Sequence, residues 1–220
     1  RPDTMSQKVK VWDFAVRFFH WSQVLLIAAL WYTGEEGLMA QHQLLAYTLA
    51  ALVVARLIWG VIGSESARFS RFAATPLAAI HYLRRPVAVA GHNPASFYMI
   101  VLLLILVGVQ LLTGLATFDN SYLSDGPLVS ILPGSWVEIA SDIHSININI
   151  LLAAIAVHVV AALWHSARLH NVLTVMITGK DTVTSQQKPQ LRNSSVFFIV
   201  FAVVLAVLLW WQGGALLALL

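Results

Sequence analysis

The 220-residue chain is 59% hydrophobic and only 10% charged, with a mean hydropathy of +0.77, a combination outside the range of soluble domains. It contains no cysteine, which excludes disulfides, thiolate metal sites, iron–sulfur clusters and covalent attachment of c-type haem. The sequence pI of about 9.5 arises from basic residues scattered in short groups between apolar runs, without a nucleic-acid-binding motif.

The amino end reads Met5-Ser-Gln-Lys-Val-Lys-Val-Trp-Asp13 ahead of the first apolar run. Met5 has the character of a natural start, with residues 1–4 an upstream remnant. No small-residue cleavage signature follows that run, so it is expected to be a retained span. A helix rising ~1.5 Å per residue needs about 20 mostly apolar residues to cross hydrocarbon. Five segments meet that length, at residues 14–34, 43–62, 95–117, 143–168 and 195–212, and the apolar tail allows the fifth to run on to Leu220. The expected architecture is an all-α integral membrane helical bundle forming one compact unit.

The connections segregate charge. Arg1, Lys8, Lys10 and Arg17 mark the amino end, Arg68, Arg71, Arg84 and Arg85 the second connection, and Lys180, Lys188 and Arg192 the fourth. The first and third connections have no Lys or Arg and hold Glu35, Glu36, Asp119, Asp125, Glu138 and Asp142 instead. Basic connections favour the cytoplasmic side, so the amino terminus is expected inside and, after five crossings, the carboxyl end outside. The eight tryptophans cluster near span ends, where amphipathic rings form interfacial belts. The third connection, roughly 25 residues with Gly126, Pro127, Pro133 and Gly134, is expected to cap the outer face. No sequence repeat stands out.

Four of the eight histidines, His20, His42, His144 and His158, fall in or at the start of spans, where ionisable side chains are expensive and usually functional. His144 and His158 are separated by ~21 Å of helical rise and lie within ~40° of one face. His42 and His144 both fall at the outer start of their spans. His20 lies 14 residues before Gly34, at the outer end of the first span, and His158 lies 14 residues after His144. Depth therefore pairs His42 with His144 as an outer set and His20 with His158 as an inner one, if spans one, two and four are neighbours. Two facing imidazoles suit the axial positions of a haem iron, whereas zinc wants three or four converging ligands. Noncovalent b-type haem at both levels, with both axial positions filled, favours electron transfer over oxygen chemistry. The alternative for a single intramembrane histidine is a hydrogen bond to a neighbouring helix.

Arg56 lies 14 residues beyond His42, at the inner level, and two readings stand for it: a partner for a haem propionate, or a side chain snorkelling to the inner interface. His165 is on the same face as His158, nearer the inner surface, and is its main rival as inner ligand. His81, His92 and His170 lie in inner connections and read as solvated or interfacial. His92 sits in Gly91-His-Asn-Pro94, where Asn and Pro suit a turn and a helix start.

These pieces together resemble the bacterial cytochrome b561 and nickel-hydrogenase b-type cytochrome family. The similar stretches are Val11-Trp-Asp-Phe-Ala-Val-Arg-Phe-Phe-His-Trp21, Gln41-His42 with Arg56 further along, Gly91-His-Asn-Pro94, Asp142-Ile-His144 followed by His158, and Asn171-Val-Leu-Thr-Val-Met-Ile-Thr-Gly179. The resemblance covers roughly residues 9–180 and implies a four-helix di-haem domain there, with residues 181–220 forming a linker and an additional fifth transmembrane helix. It implies two noncovalent b-type haems held by His20, His42, His144 and His158. It also implies exchange of electrons between the membrane quinone pool and an outer partner such as a periplasmic c-type cytochrome or another redox subunit. The chain would then work in the bacterial inner membrane as a quinol:acceptor oxidoreductase or as a membrane subunit of one. A haem-free transporter using the histidines for protons or metal, and an anchor using them for helix packing, are the competing classes. The transporter calls for carboxylates within the spans, and none occurs between the ends of any of the five.

Overall fold

The computed structural model describes residues 7–89, 91–121, 124–183 and 188–219; Arg1, the expected start at Met5 and the tail residue Leu220 lie outside them. The protein is mostly helical. Its five long apolar helices are α1 (Phe14–Glu35), α2 (Met39–Ile62), α5 (Pro94–Gly114), α6 (Gly134–Arg168) and the segment Ser195–Leu217. That last segment comprises α8 (Ser195–Leu208), a π-helical turn at Leu209–Gly213 and α9 (Gly214–Leu217). Short helices α3 (Phe69–Phe72), α4 (Pro76–Arg84) and α7 (Val172–Thr178) punctuate the connections. Strand β1 (Gln7–Lys10) pairs antiparallel with β4 (Lys180–Val183), and the two-residue strands β2 (Phe118–Asp119) and β3 (Ser124–Asp125) pair with each other.

Helix boundaries follow from local chemistry. Asp13 Oδ1 accepts the Val16 N–H at 2.8 Å and caps α1, occupying a donor that the helix cannot satisfy internally. Thr75 does the same for α4 from the Ala78 N–H (3.2 Å), with Pro76 in the first turn. Asn93 caps α5 through Ser96 N–H (2.8 Å) ahead of Pro94, which is the turn and helix start expected of Gly91-His-Asn-Pro94. Gly37, at φ 69, makes the turn between α1 and α2. Gly179, at φ 74, ends α7 by returning its N–H to Val175 O, a left-handed cap that costs glycine little.

One boundary differs from the hydropathy reading. Helix α6 starts at Gly134 and runs for 35 residues, so the last part of the third connection is helix rather than irregular cap. The added turns carry exposed Ser135, Glu138 and Asp142, which lower the hydropathy without opposing helix. Ser141 Oγ there accepts the Phe118 N–H (3.1 Å) and joins the β2–β3 pair to the extension. His144 consequently lies almost three turns into its helix, not at its start.

Contacts divide the described residues into two compact units: those within 7–20, 55–89, 91–102, 156–183 and 188–199 form the first, and those within 21–54, 103–121, 124–155 and 200–219 the second. Within the first, Val11, Trp12, Ala15, Val16, Phe19, Ala55, Trp59 and Phe197 are buried. The segment before α8 is fastened to the end of α2: Arg192 N donates to Ser64 Oγ (2.8 Å), Arg192 Nη1 to Ile62 O (2.7 Å) and Gln190 N to Glu65 Oε2 (2.8 Å). Phe69 lies against Gly60, where no Cβ would fit. Trp12 and Trp59 belong to this core, and Trp59 Nε1 donates to Asp13 Oδ2 at 2.9 Å; these two are not belt residues. In the second unit the core comprises Tyr47, Leu49, Ala51, Leu52, Leu106, Val107 and Leu151. Around both units, Leu25, Val61, Leu112 and Val160 stand exposed on long helices. Such an apolar exterior over internally hydrogen-bonded helices is what hydrocarbon solvates, and the chain is a multi-pass membrane protein.

Candidate functional site

The second unit brings His42, in the first turn of α2, against His144 of α6, with ring centroids 6.5 Å apart and ring planes at 81°. Each imidazole is held by the same device. His42 Nδ1 donates to the carbonyl of Leu30 (2.9 Å) and lies 3.3 Å from Thr33 Oγ1. His144 Nδ1 donates to the carbonyl of Gln110 (3.0 Å) and lies 3.2 Å from Thr113 Oγ1. A carbonyl only accepts, so Nδ1 carries the proton in both rings and Nε2 presents its lone pair. Each threonine donates its own hydrogen to the carbonyl one turn back, Ala29 O at 2.8 Å or Val109 O at 2.7 Å. Its oxygen is thereby left to accept from the imidazole. Directly after each threonine comes a glycine whose missing side chain clears the ring. A Cβ at Gly34 would stand 3.3 Å from His42 Cε1, and one at Gly114 3.0 Å from His144 Cε1. The side chain of Gln110 adds a bond to His144 O (3.1 Å) and accepts from buried Asn147 Nδ2 (2.8 Å).

The four residues Thr33, Gly34, Thr113 and Gly114 escaped the sequence reading because Thr-Gly near a helix end is ordinary C-terminal chemistry. The signal was present as a repeat, Thr-Gly closing the first span and Thr-Gly closing the third. Only the spatial arrangement connects the two copies to the two histidines.

In the first unit His20 of α1 faces His158 of α6, with centroids 6.3 Å apart and planes at 57°. His165, the rival ligand, is engaged elsewhere: its Nε2 meets the Tyr82 hydroxyl at 2.6 Å, its Nδ1 the His170 carbonyl at 3.5 Å, and its ring stacks on Tyr82. Burial raises the Tyr82 phenol above its ordinary pKa, and its hydroxyl also donates to Val87 O (3.3 Å). Arg56 is 4% exposed. Its Nη1 donates to Ala67 O (3.2 Å), and the guanidinium lies 4.7 Å from the Phe69 centroid and 5.9 Å from that of Phe19. The guanidinium is thus packed inside the protein.

Two of the connection histidines are engaged by other side chains. His170 Nε2 lies 3.0 Å from Oδ2 of buried Asp181, next to the β1–β4 pair. His92 packs between Trp12 (4.5 Å) and Phe72 (4.1 Å). Desolvation, followed by the charge of Arg56, pushes its pKa down to about 3. His81 is exposed, as expected of a connection.

Both facing pairs fit a haem iron. With metal–imidazole bonds of about 2.0–2.1 Å, and ring nitrogens about 1.1 Å from their centroids, two axial ligands of one metal place their ring centres about 6.3 Å apart. The observed 6.3 and 6.5 Å match that span. No group of three or more His, Cys, Asp or Glu side chains suited to a metal ion occurs among the described residues, and each facing pair offers two imidazoles. A family model described as prokaryotic cytochrome b561 matches residues 11–179, a stretch containing all four of these histidines. No curated protein and no solved structure matches the chain.

Proposed function

The chain belongs to the prokaryotic cytochrome b561 family, whose work is di-haem transmembrane electron transfer, and from that premise we propose that its electrons pass through haems held by His42 with His144 and by His20 with His158. The observation that carries this reading is the separation of the two imidazole pairs, each the span of one bis-histidine iron. A haem held at each imidazole pair would supply one-electron redox chemistry. The protein's residues orient and tune it. Nδ1–H donation from His42 and His144 to backbone carbonyls fixes the ligating tautomer and raises ligand basicity, and the apolar helices around both pairs exclude water.

Residues 9–180 form the haem-binding domain and residues 181–220 the linker and fifth helix. In this reading the amino terminus is cytoplasmic, the His42–His144 centre faces the periplasm and the carboxyl end is outside, which the segregation of basic and acidic connections supports. Electrons are exchanged between membrane quinone and a periplasmic redox partner such as a c-type cytochrome, with the chain acting as a quinol:acceptor oxidoreductase or as a membrane subunit of one.

The test is a proteoliposome carrying the haem-loaded protein in known orientation, supplied with a lipid-soluble quinol and with ferricytochrome c on the face of the acidic connections. Quinol-dependent reduction of the cytochrome, abolished by His20→Ala, supports the reading. Haem reduction by quinol without transfer to any soluble protein on that face contradicts the partner, and haem that quinol leaves oxidised contradicts the quinone link.

A further inference from the structure

His92 is the buried titratable group that the two imidazole pairs leave without a task. Its Nε2 is buried with no hydrogen-bond partner among the described residues, a state that native structures rarely tolerate without an unseen partner. The charge of Arg56 acts on it. An aromatic bridge joins the two residues: Arg56 lies over Phe69, Phe69 meets Phe72 at 5.8 Å, and Phe72 packs on His92.

Arg56 is itself under-used. Its guanidinium carries five N–H donors and, among the described residues, makes one hydrogen bond, to Ala67 O. No carboxylate among the described residues forms a salt bridge with it. Asp13 is close enough to act on it electrostatically, but its Oδ1 is taken by Val16 N–H and its Oδ2 by Trp59 Nε1–H. A buried cation without a bonded anion, acting on an imidazole whose buried Nε2 has no partner among the described residues, is a donor set suited to a carboxylate. Both residues lie in the compact unit that holds His20 and His158, and the guanidinium also packs on Phe19, the neighbour of His20 in sequence.

We propose that Arg56 and His92 together bind a carboxylate of the haem held by His20 and His158, the guanidinium and the His92 Nε2–H both donating to it. The proposal rests on that pair being haem ligands and adds His92, which the sequence placed among solvated residues. The two propionates are the acidic groups of b-type haem, and Arg56, almost fully buried, is closed to an anion arriving from the membrane surface.

The experiment uses the full chain carrying His144→Ala, so that only the His20–His158 centre loads. Haem-depleted protein in detergent is titrated with haem and with haem dimethyl ester, followed by the Soret band. The free acid is expected to bind roughly tenfold or more tightly than the ester, the worth of charge-assisted hydrogen bonds. Arg56→Met and His92→Leu should each narrow that ratio, and Arg56→Lys should restore part of it. Equal binding of haem and ester by the His144→Ala parent, with a bis-histidine spectrum, overturns the carboxylate site while leaving the ligand pair standing; this arm needs no variant of Arg56 or His92 to fold. An undiminished ratio in His92→Leu removes His92 from the site. Failure of the parent to bind either compound overturns the ligand pair and the proposal together.

Discussion

Replacing the two glycines beside the His42–His144 pair separates haem binding from helix stability. A Cβ at position 114 would stand 3.0 Å from His144 Cε1 and 3.4 Å from its Nδ1, whereas one at position 34 would stand 3.3 and 3.5 Å from the corresponding His42 atoms. Ordinary contact begins near 3.4 Å. Gly114→Ala therefore asks the His144 ring to give by roughly 0.4 Å and Gly34→Ala asks the His42 ring for roughly 0.1 Å, against typical overpacking costs of ~1–3 kcal/mol. His144 cannot slide freely, because its Nδ1–H···O bond to Gln110 is already 3.0 Å long and weakens as it stretches. A cost of about 1.4 kcal/mol at position 114 is tenfold in haem affinity, while the smaller clash at position 34 should stay within about threefold. Alanine meanwhile improves helix propensity by up to ~1 kcal/mol in either place, which offsets part of the contact's cost, so the haem-depleted Gly114→Ala chain should melt only slightly below the parent. The assay is haem content per chain with the spectra of the two centres resolved, beside a melting curve. Loss from the His20–His158 centre, or greater damage from Gly34→Ala than from Gly114→Ala, would refute this account of the glycines.

Thr33→Val and Thr113→Val remove an acceptor from the ligand imidazoles, so both should shift the potential of the His42–His144 haem to more positive values in a redox titration; Thr→Ser should leave it near wild type, and a shift confined to the other haem would count against the clasp. His165→Phe should keep both haems, since His165 is committed to Tyr82 and the His170 carbonyl; loss of one haem would return His165 to the ligand set. Trp59→Phe leaves Asp13 Oδ2 buried without its 2.9 Å donor and should cost about 1–3 kcal/mol in unfolding measurements, with unchanged haem spectra in protein that remains folded.

The spans and the histidine pairing were legible in the sequence for different reasons. Apolar length alone identifies a crossing helix, so the hydropathy boundaries came close to those of α1, α2 and α5. It fails where a helix leaves hydrocarbon, which is why Glu138 and Asp142 were assigned to a loop although they lie on α6. The pairing of His42 with His144 emerged from counting depth along helices, a quantity fixed by helical rise. That count assumed His144 at its helix start; the extra turns of α6 moved the start without moving the histidine relative to the apolar run. Contacts made by small or loop residues were hidden. Thr33 and Gly34 carry only the repeated Thr-Gly as a mark, which by itself does not distinguish a clasp on a histidine from a helix end. His92, flanked by Gly91 and Asn93, reads as exposed until Trp12 and Phe72 close over it. Trp59 likewise reads as interfacial until its indole N–H finds Asp13.

The most direct test of the wiring is a haem count on detergent-purified protein, together with reduced-minus-oxidised spectra of the four single histidine variants. Two noncovalent b-type haems per chain are expected. His20→Ala and His158→Ala should then lose the same haem, and His42→Ala and His144→Ala the other. Loss of different haems by the two members of either pair, or a colourless protein made under haem-replete conditions, would contradict the account.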